Sequence, residues 1–121
     1  LDKNRKIDKV IYPFSKKFKQ YSLARKQMSS GGTIVSFELN INKKKELKER
    51  KFKFINKLKM IDISNNLGDT KTLITHPSTT THNRLTNTQK KTLSINDNLI
   101  RLSVGLEDVD DIINDLKMGL A

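Results

Sequence analysis

Two short segments in which apolar and polar side chains alternate constrain the fold more than any other feature of this sequence. They are residues 33–39 and residues 99–104. The apolar positions are Val35, Phe37, Leu39, Ile100, Leu102 and Val104. Successive side chains of a strand point to opposite faces of a sheet, so each segment predicts a strand with one face toward a core.

Residues 42–59 have the spacing of an amphipathic helix. Their apolar positions are Leu47, Phe52, Phe54, Ile55 and Leu58. Asn42 precedes this stripe and is predicted to be the N-cap, because an asparagine side chain can accept a hydrogen bond from the first helical turn. We expect the helix to lie across a sheet, with its many lysines in water.

The remaining predicted elements are shorter. They are a helix from Ser15 to about Met28, short strands at 60–64 and 71–75, and a turn of helix near Gln89 within an irregular segment, 78–98. Asp108 predicts an N-cap for a final helix whose apolar stripe is Val109, Ile112, Ile113 and Leu116. Together the elements predict a small α+β domain, an antiparallel sheet covered by helices on one face.

The positive charge of the chain is concentrated in its first half. The net charge is +11, and residues 1–60 hold 18 Lys and Arg against 5 Asp and Glu, whereas residues 61–121 hold 6 against 8. No aromatic stacking platform or recognition-helix pattern accompanies this charge. We therefore expect a solvated helix face and no specific nucleic-acid partner.

The sequence indicates neither a membrane-spanning segment nor a function that depends on cysteine. No run approaches the roughly 20 apolar residues that a membrane span needs, and Leu1 opens a charged segment without the apolar core of a signal peptide. A start at Leu1 is expected of a fragment. The sequence contains no cysteine, which excludes a disulfide framework and fits a reducing cytoplasm.

Arg101 is the leading candidate for a binding residue. It shares a strand face with Leu99 and Ser103, and a planar guanidinium can bind a carboxylate through two parallel charge-assisted hydrogen bonds. The alternative is an arginine on an exposed strand face or in an internal ion pair. The residues alone leave both interpretations open.

Other polar clusters have simpler structural explanations. His76 and His82 are spaced unlike a common ligand pair and lack a completing cysteine or acid, so we expect no metal site. No Gly-x-Ser-x-Gly turn surrounds Ser103, which is expected to be structural. The acidic residues at 107–111 lack a calcium-loop pattern and are better explained by helix capping.

Three blocks in the second half follow one another in a characteristic order. They are Asn66-Leu67-Gly68-Asp69-Thr70, His76-Pro77-Ser78-Thr79-Thr80-Thr81-His82 and Leu99-Ile100-Arg101-Leu102-Ser103-Val104-Gly105-Leu106-Glu107-Asp108. Upstream, Val10-Ile11-Tyr12-Pro13, Leu23-Ala24-Arg25-Lys26-Gln27-Met28 and residues 31–39 extend the pattern. The chain resembles the C-terminal domain of the pyridoxal-phosphate-dependent enzymes of Cys/Met metabolism, which have fold type I. The resemblance implies that residues 1–11 lead in from an absent N-terminal cofactor domain and that residues 12–121 form the substrate domain.

The resemblance also implies a site. In family enzymes the arginine that matches Arg101 binds the substrate α-carboxylate, Asn66 stands at a site-lining position where many lyases have serine, and Thr81 ends a loop near the active site. For Asn66, a turn residue without contact to substrate is the alternative. No catalytic residue, cofactor ligand or metal ligand is expected within this chain.

The implied activity belongs to a full-length enzyme. The Schiff-base lysine and the other residues that hold pyridoxal phosphate lie in the family's N-terminal domain, so the isolated chain is expected to be inactive. The resemblance favours a homoserine sulfhydrylase that makes homocysteine from an O-acylhomoserine and sulfide. The alternatives are a cystathionine synthase or lyase, a methionine γ-lyase, or a non-catalytic remnant or interaction domain. The expected partners are an amino-acid substrate, the N-terminal domain and further copies in a tetramer.

Overall fold

The computed structural model describes residues 1–41 and 44–121, and side chains outside 42–48. Its strands are β1 (Ile7–Ile11), β2 (Ile34–Leu39), β3 (Asp62–Ile63), β4 (Leu73–Thr75) and β5 (Leu99–Ser103). Its helices are α1 (Tyr21–Gln27), α2 (Lys44–Asn56), α3 (Asn87–Thr92) and α4 (Val109–Leu120). A 3-10 turn, Pro77–Thr79, follows β4. Asn42 and the side chain of Leu47, predicted as N-cap and stripe residue of α2, lie outside what is described.

The five strands form one sheet in the order β1-β2-β5-β4-β3. All neighbouring pairs are antiparallel except β3 with β4, which is parallel. Phe37 of β2 faces Ile100 of β5, and Ile74 of β4 faces Leu102. The two strands with the clearest alternation therefore lie side by side, in the middle of the sheet.

Helices α2 and α4 pack on one face of this sheet. The buried hydrophobic cluster consists of Phe37, Leu39, Phe54, Ile55, Ile61, Ile74, Ile100, Leu102, Ile112, Leu116 and Leu120. The Phe37 and Phe54 rings meet edge to face with centroids 6.1 Å apart, a favoured aromatic geometry. The predicted α+β class, with helices on one face of an antiparallel sheet, is confirmed, although the β3–β4 pair is parallel.

Gly119 allows α4 to approach α2 closely. A Cβ atom added at this position would lie 2.9 Å from Cδ2 of Phe54 and 2.8 Å from Cδ2 of Leu58. Any larger side chain would therefore displace Phe54 from its place against the sheet.

Asp115 joins α4 to the end of the α2 region. It is buried, and its carboxylate accepts the backbone N–H groups of Lys59, Met60 and Ile61 at 2.9–3.0 Å. Burial pushes the pKa of Asp115 upward, but these three hydrogen bonds outweigh it and hold the pKa below its usual value. The aspartate thus stabilises the turn that leads into β3.

The first predicted helix is shorter than expected. Ser15 does not cap α1, which begins at Tyr21. Instead, residues 12–21 form three successive four-residue turns. In these turns the N–H groups of Ser15, Phe18 and Tyr21 donate to the backbone oxygens of Tyr12, Ser15 and Phe18. The prediction of a helix beginning at Ser15 was wrong.

Two predictions about helix faces need correction. The lysines of α2 were expected in water, but Lys51 is only 4% exposed. In α4, Asp108 caps the helix by accepting from the N–H groups of Asp110 and Asp111, as predicted. Ile112 and Leu116 are buried in the core, whereas Val109 and Ile113, predicted for the same stripe, are exposed.

Strand β1 was not recognised from the sequence. It lies at one edge of the sheet, where Val10 faces Phe37 and Ile11 faces Ser36. Residues 1–11 therefore contribute a strand to this sheet. Among the helices within the described ranges, none is long and apolar enough to cross a membrane.

Candidate functional site

Arg101 lies near the middle of the sheet, on the face away from α2 and α4. Its neighbours across the strands are Ser36 of β2 and Thr75 of β4. The side chain is partly buried, and Nη2 donates a 2.9 Å hydrogen bond to the backbone oxygen of Asn65. The guanidinium is thus held at one end of its fork.

The electrostatic setting of Arg101 favours an anion. Burial lowers the pKa of Arg101, because desolvation penalises the charged guanidinium. Among the residues that the structure describes, no Asp or Glu forms an ion pair with it. An incoming carboxylate would offset the desolvation and use the donors that Asn65 leaves free.

Asn66 is exposed in the turn that supports Arg101. Its N–H donates to Ser64 Oγ at 3.3 Å, and the preceding Asn65 contacts Arg101. Gly68 has a φ of +70°, which glycine adopts without strain, and its N–H donates to Ser103 Oγ at 3.0 Å. The Ser103 hydroxyl therefore fastens the turn to β5, as a structural residue would.

Thr81 lies on an exposed part of the loop that follows β4. Its Oγ1 is 2.7 Å from Nδ1 of His82, and His82 N–H donates to the oxygen of Pro77 at 2.9 Å. No hydrogen bond among the described residues joins Thr81 to Arg101 directly. The structure brings Arg101 and the Asn65–Asn66 turn together, and it connects the Thr81 loop to them through neighbouring residues.

His76 anchors that loop inside the fold. It is buried, with Nδ1 2.8 Å from Thr79 Oγ1 and Nε2 2.9 Å from the backbone oxygen of Asp97. The Lys51 ammonium lies 3.3 Å from the same Nε2. Burial lowers the pKa of His76, and the charge of Lys51 acts in the same direction, against the Asp97 oxygen, so the neutral ring is favoured. Sequence reasoning missed Lys51, because a lysine among many on a helix gives no sign of burial.

A family model described as Cys/Met metabolism PLP-dependent enzyme matches residues 1–121. The chain belongs to this family. Curated relatives include an O-succinylhomoserine sulfhydrylase from Mycobacterium tuberculosis, 46% identical over 112 residues, and an L-methionine γ-lyase from Fusobacterium nucleatum subsp. nucleatum, 43% identical over 120 residues. These alignments cover 93% and 99% of this chain, but only 27% and 29% of the relatives.

Solved structures of the Cys/Met-metabolism family have the same fold. A cystathionine γ-synthase from Xanthomonas oryzae pv. oryzae, in complex with aminoacrylate and cysteine, superposes with a TM-score of 0.90 at 30% identity. A cystathionine γ-lyase from Lactobacillus plantarum, complexed with L-serine, gives 0.87 at 32% identity. They align with 99% and 98% of this chain, which spans 30% of each of them.

Among the described side chains, the buried lysine, Lys51, is poorly placed to hold the family's cofactor. A pyridoxal phosphate site needs an accessible lysine together with groups for the ring and the phosphate. Lys51, the most deeply buried lysine among the described side chains, has its ammonium beside His76 and 3.4 Å from the Asp97 oxygen. The arrangement around Arg101 fits a carboxylate instead.

Proposed function

We propose that this chain is the C-terminal substrate portion of a pyridoxal-phosphate-dependent enzyme of Cys/Met metabolism. In this proposal residues 12–121 form the substrate domain, while residues 1–11 lead in from an N-terminal cofactor domain and add β1 to the sheet. The family match over residues 1–121 and the 27–30% span of longer relatives support it.

Arg101 carries the proposal. Its partly buried guanidinium is held by Asn65 and is free of carboxylate partners among the described residues. It would bind the α-carboxylate of an amino-acid substrate through paired hydrogen bonds. Asn66 and Thr81, exposed on the two adjoining loops, would line the same site.

The activity we propose is that of a homoserine sulfhydrylase, which replaces the acyloxy group of an O-acylhomoserine with sulfide, giving homocysteine and releasing the acyl group as a free carboxylate. The 46% identity to the M. tuberculosis O-succinylhomoserine sulfhydrylase supports this choice. Methionine γ-lyase, at 43% identity, and cystathionine synthase or lyase are the alternatives within the family.

The cofactor would supply the electron sink for this chemistry, from the N-terminal domain. Residues 1–121 would hold the substrate and would be inactive alone. We propose a cytoplasmic location for the full-length enzyme, with which the absence of cysteine is compatible. We also propose that it is a homo-oligomer, a tetramer, as the family resemblance implies.

Two chimeric enzymes, called the joined enzymes below, test the proposed activity. Residues 1–121 replace the matching segment of the M. tuberculosis sulfhydrylase in one and of the F. nucleatum methionine γ-lyase in the other. Both are assayed for homocysteine formation from O-succinylhomoserine or O-acetylhomoserine with sulfide, and for 2-oxo acid release from methionine and cystathionine.

Homocysteine formation in both joined enzymes would support the sulfhydrylase assignment, because that activity would then follow this chain. Methionine cleavage in both would replace it with the lyase. No turnover in either, with cofactor bound, would refute the substrate-domain proposal.

A further inference from the structure

Three separate segments carry the candidate binding residues: the turn with Asn66, the loop with Thr81, and β5 with Arg101. Thr75, the last residue of β4, lies between them. It faces Arg101 across the β4–β5 pair and is only 1% exposed. A buried hydroxyl needs hydrogen-bond partners, and those of Thr75 belong to the other two segments.

The Thr75 hydroxyl links the turn to the loop. Oγ1 donates to Asn65 Oδ1 at 3.1 Å and lies 2.9 Å from Thr80 Oγ1. Because the Thr75 proton is donated to Asn65, Thr80 Oγ1 is the donor to Thr75 Oγ1, and it also lies 2.9 Å from the backbone oxygen of His76. One side chain therefore joins the residue before Asn66 to the residue before Thr81.

The link continues from Asn65 to the arginine. The Asn65 side chain accepts a hydrogen bond from the Thr75 hydroxyl, and the Asn65 backbone oxygen accepts one from Nη2 of Arg101 at 2.9 Å. Among the described residues, Thr75 is the hydrogen-bond partner of the exposed Asn65 side chain. A long arginine side chain has many rotamers, and a fixed acceptor selects among them before a ligand arrives.

We propose that Thr75 is a positioning residue of the substrate-carboxylate site, which fixes the Arg101 guanidinium through Asn65 and the Thr81 loop through Thr80. This inference rests on the proposed function. Thr75 acts through its neighbours, and its effect should appear as weaker substrate binding with chemistry nearly unchanged.

Thr72 provides a matched control. It precedes β4, is 0% exposed, and its hydroxyl donates to Glu107 Oε2 at 2.7 Å and accepts from the N–H of Gly105 at 2.9 Å. Thr72→Val and Thr75→Val are thus matched: each removes one buried hydroxyl group, and the two positions lie in the same segment. Only Thr75 is bonded toward Arg101.

The first experiment uses the 121-residue chain and follows the Arg101 side-chain Nε–Hε signal by NMR. Thr75→Val should shift this signal and increase its mobility, Thr75→Ser should restore it, and Thr72→Val should leave it as in the unchanged chain. Asn65→Ala breaks the same link at an exposed position and should reproduce the effect if Thr75→Val fails to fold. An unchanged Arg101 signal in Asn65→Ala or in folded Thr75→Val would overturn the inference.

The second experiment measures the same variants in the joined enzymes. Loss of a hydrogen bond that organises binding predicts a rise of up to roughly tenfold in KM for Thr75→Val, with kcat almost unchanged. Thr75→Ser should recover most of the affinity, and Thr72→Val should leave KM unaltered.

The outcomes separate the two proposals. If Arg101→Ala raises KM but Thr75→Val does not, the positioning role is refuted and the proposed function stands. If neither variant changes KM, the proposed function fails. A mobile Arg101 signal in Thr75→Val would still support the structural link in that case.

Discussion

Glu107 binds Thr72 with both of its carboxylate oxygens. The N–H of Thr72 donates to Oε1 at 2.6 Å, and its hydroxyl donates to Oε2 at 2.7 Å. This pair joins the segment after β5 to the segment before β4. It thereby closes the end of the sheet next to the turn that supports Arg101.

We expect Glu107→Ala to lower the free energy of unfolding by about 1.5–3 kcal/mol, the usual range for hydrogen bonds to a charged group. Burial raises the pKa of Glu107, but the bonds from Thr72 outweigh it, and the pKa lies below its usual value. The stabilisation is therefore present above about pH 4.3 and is lost as the pH falls further. Urea unfolding across this range checks it. Asp110→Ala is the control, since equal losses would contradict a special role for Glu107.

Phe54→Ala should reduce stability by about 3–5 kcal/mol, because a large buried ring leaves a cavity beside Phe37. Phe54 is 4% exposed, whereas Phe52, on the same helix, is only partly buried. Phe52→Ala should therefore cost less. Chemical unfolding of both variants measures the difference, and a smaller loss for Phe54→Ala would contradict the packing of α2 on the sheet.

His76 should make the chain less stable in mild acid. Its folded pKa lies below the ordinary 6.5 because of burial, so the unfolded state binds more protons as the pH falls. Unfolding should become easier as the pH falls below about 6.5, the ordinary pKa of a histidine, toward the lower pKa of the folded state. His76→Gln should flatten this dependence, whatever its overall stability, while His82→Gln retains His76 and should retain the slope. An undiminished slope in His76→Gln would show that other groups cause it.

Arg101→Ala should lower kcat/KM of the joined enzymes by roughly 30-fold to several thousand-fold, the effect of losing about 2–5 kcal/mol of charge-assisted binding. Arg101→Lys should recover only part, since an ammonium cannot form the paired contact. Arg5→Ala removes another guanidinium and serves as control. Cofactor absorbance should persist in all variants. Normal kcat/KM in cofactor-loaded Arg101→Ala would remove this residue from the site.

The isolated chain should form no stable, stoichiometric adduct with pyridoxal phosphate on a single lysine. Lys51 is held by His76 and the Asp97 oxygen, and exposed lysines should react only at random. Mass spectrometry after borohydride reduction locates any adduct. One fully modified lysine would place part of the cofactor site within these residues.

The central elements could be predicted from sequence because each follows a simple period. Strands β2 and β5 alternate with period two, and Asp108 has the chemistry of an N-cap. Strand β1 breaks this rule: the pairing shifts between Ile7 and Lys9, so Ile7 and Val10, three positions apart, both pack against the core. A bulge of this kind hides a strand from any search for alternation.

The polar contacts within the fold were less predictable. Asp115 and Lys51 can be buried because each forms hydrogen bonds with the backbone of residues distant in sequence. Asp115 accepts from backbone N–H groups, and Lys51 donates to a backbone oxygen. Those partners become neighbours only after folding. Arg101 was recognisable from its chemistry and its strand position. Thr75 was not, because the residues that it joins lie on three different segments. Arg101, Asn66 and Thr81 as substrate-binding residues remain predictions.

The position of β5 also determines when this sheet can form during synthesis. Strand β5 lies between β2 and β4, yet it is the last strand to leave the ribosome. Until then β2 and β4 each present an unpaired edge, and the nascent chain must wait for distant partners. Truncations that end before residue 99 should therefore aggregate rather than fold to a smaller sheet, and chaperone dependence should fall sharply once β5 is translated.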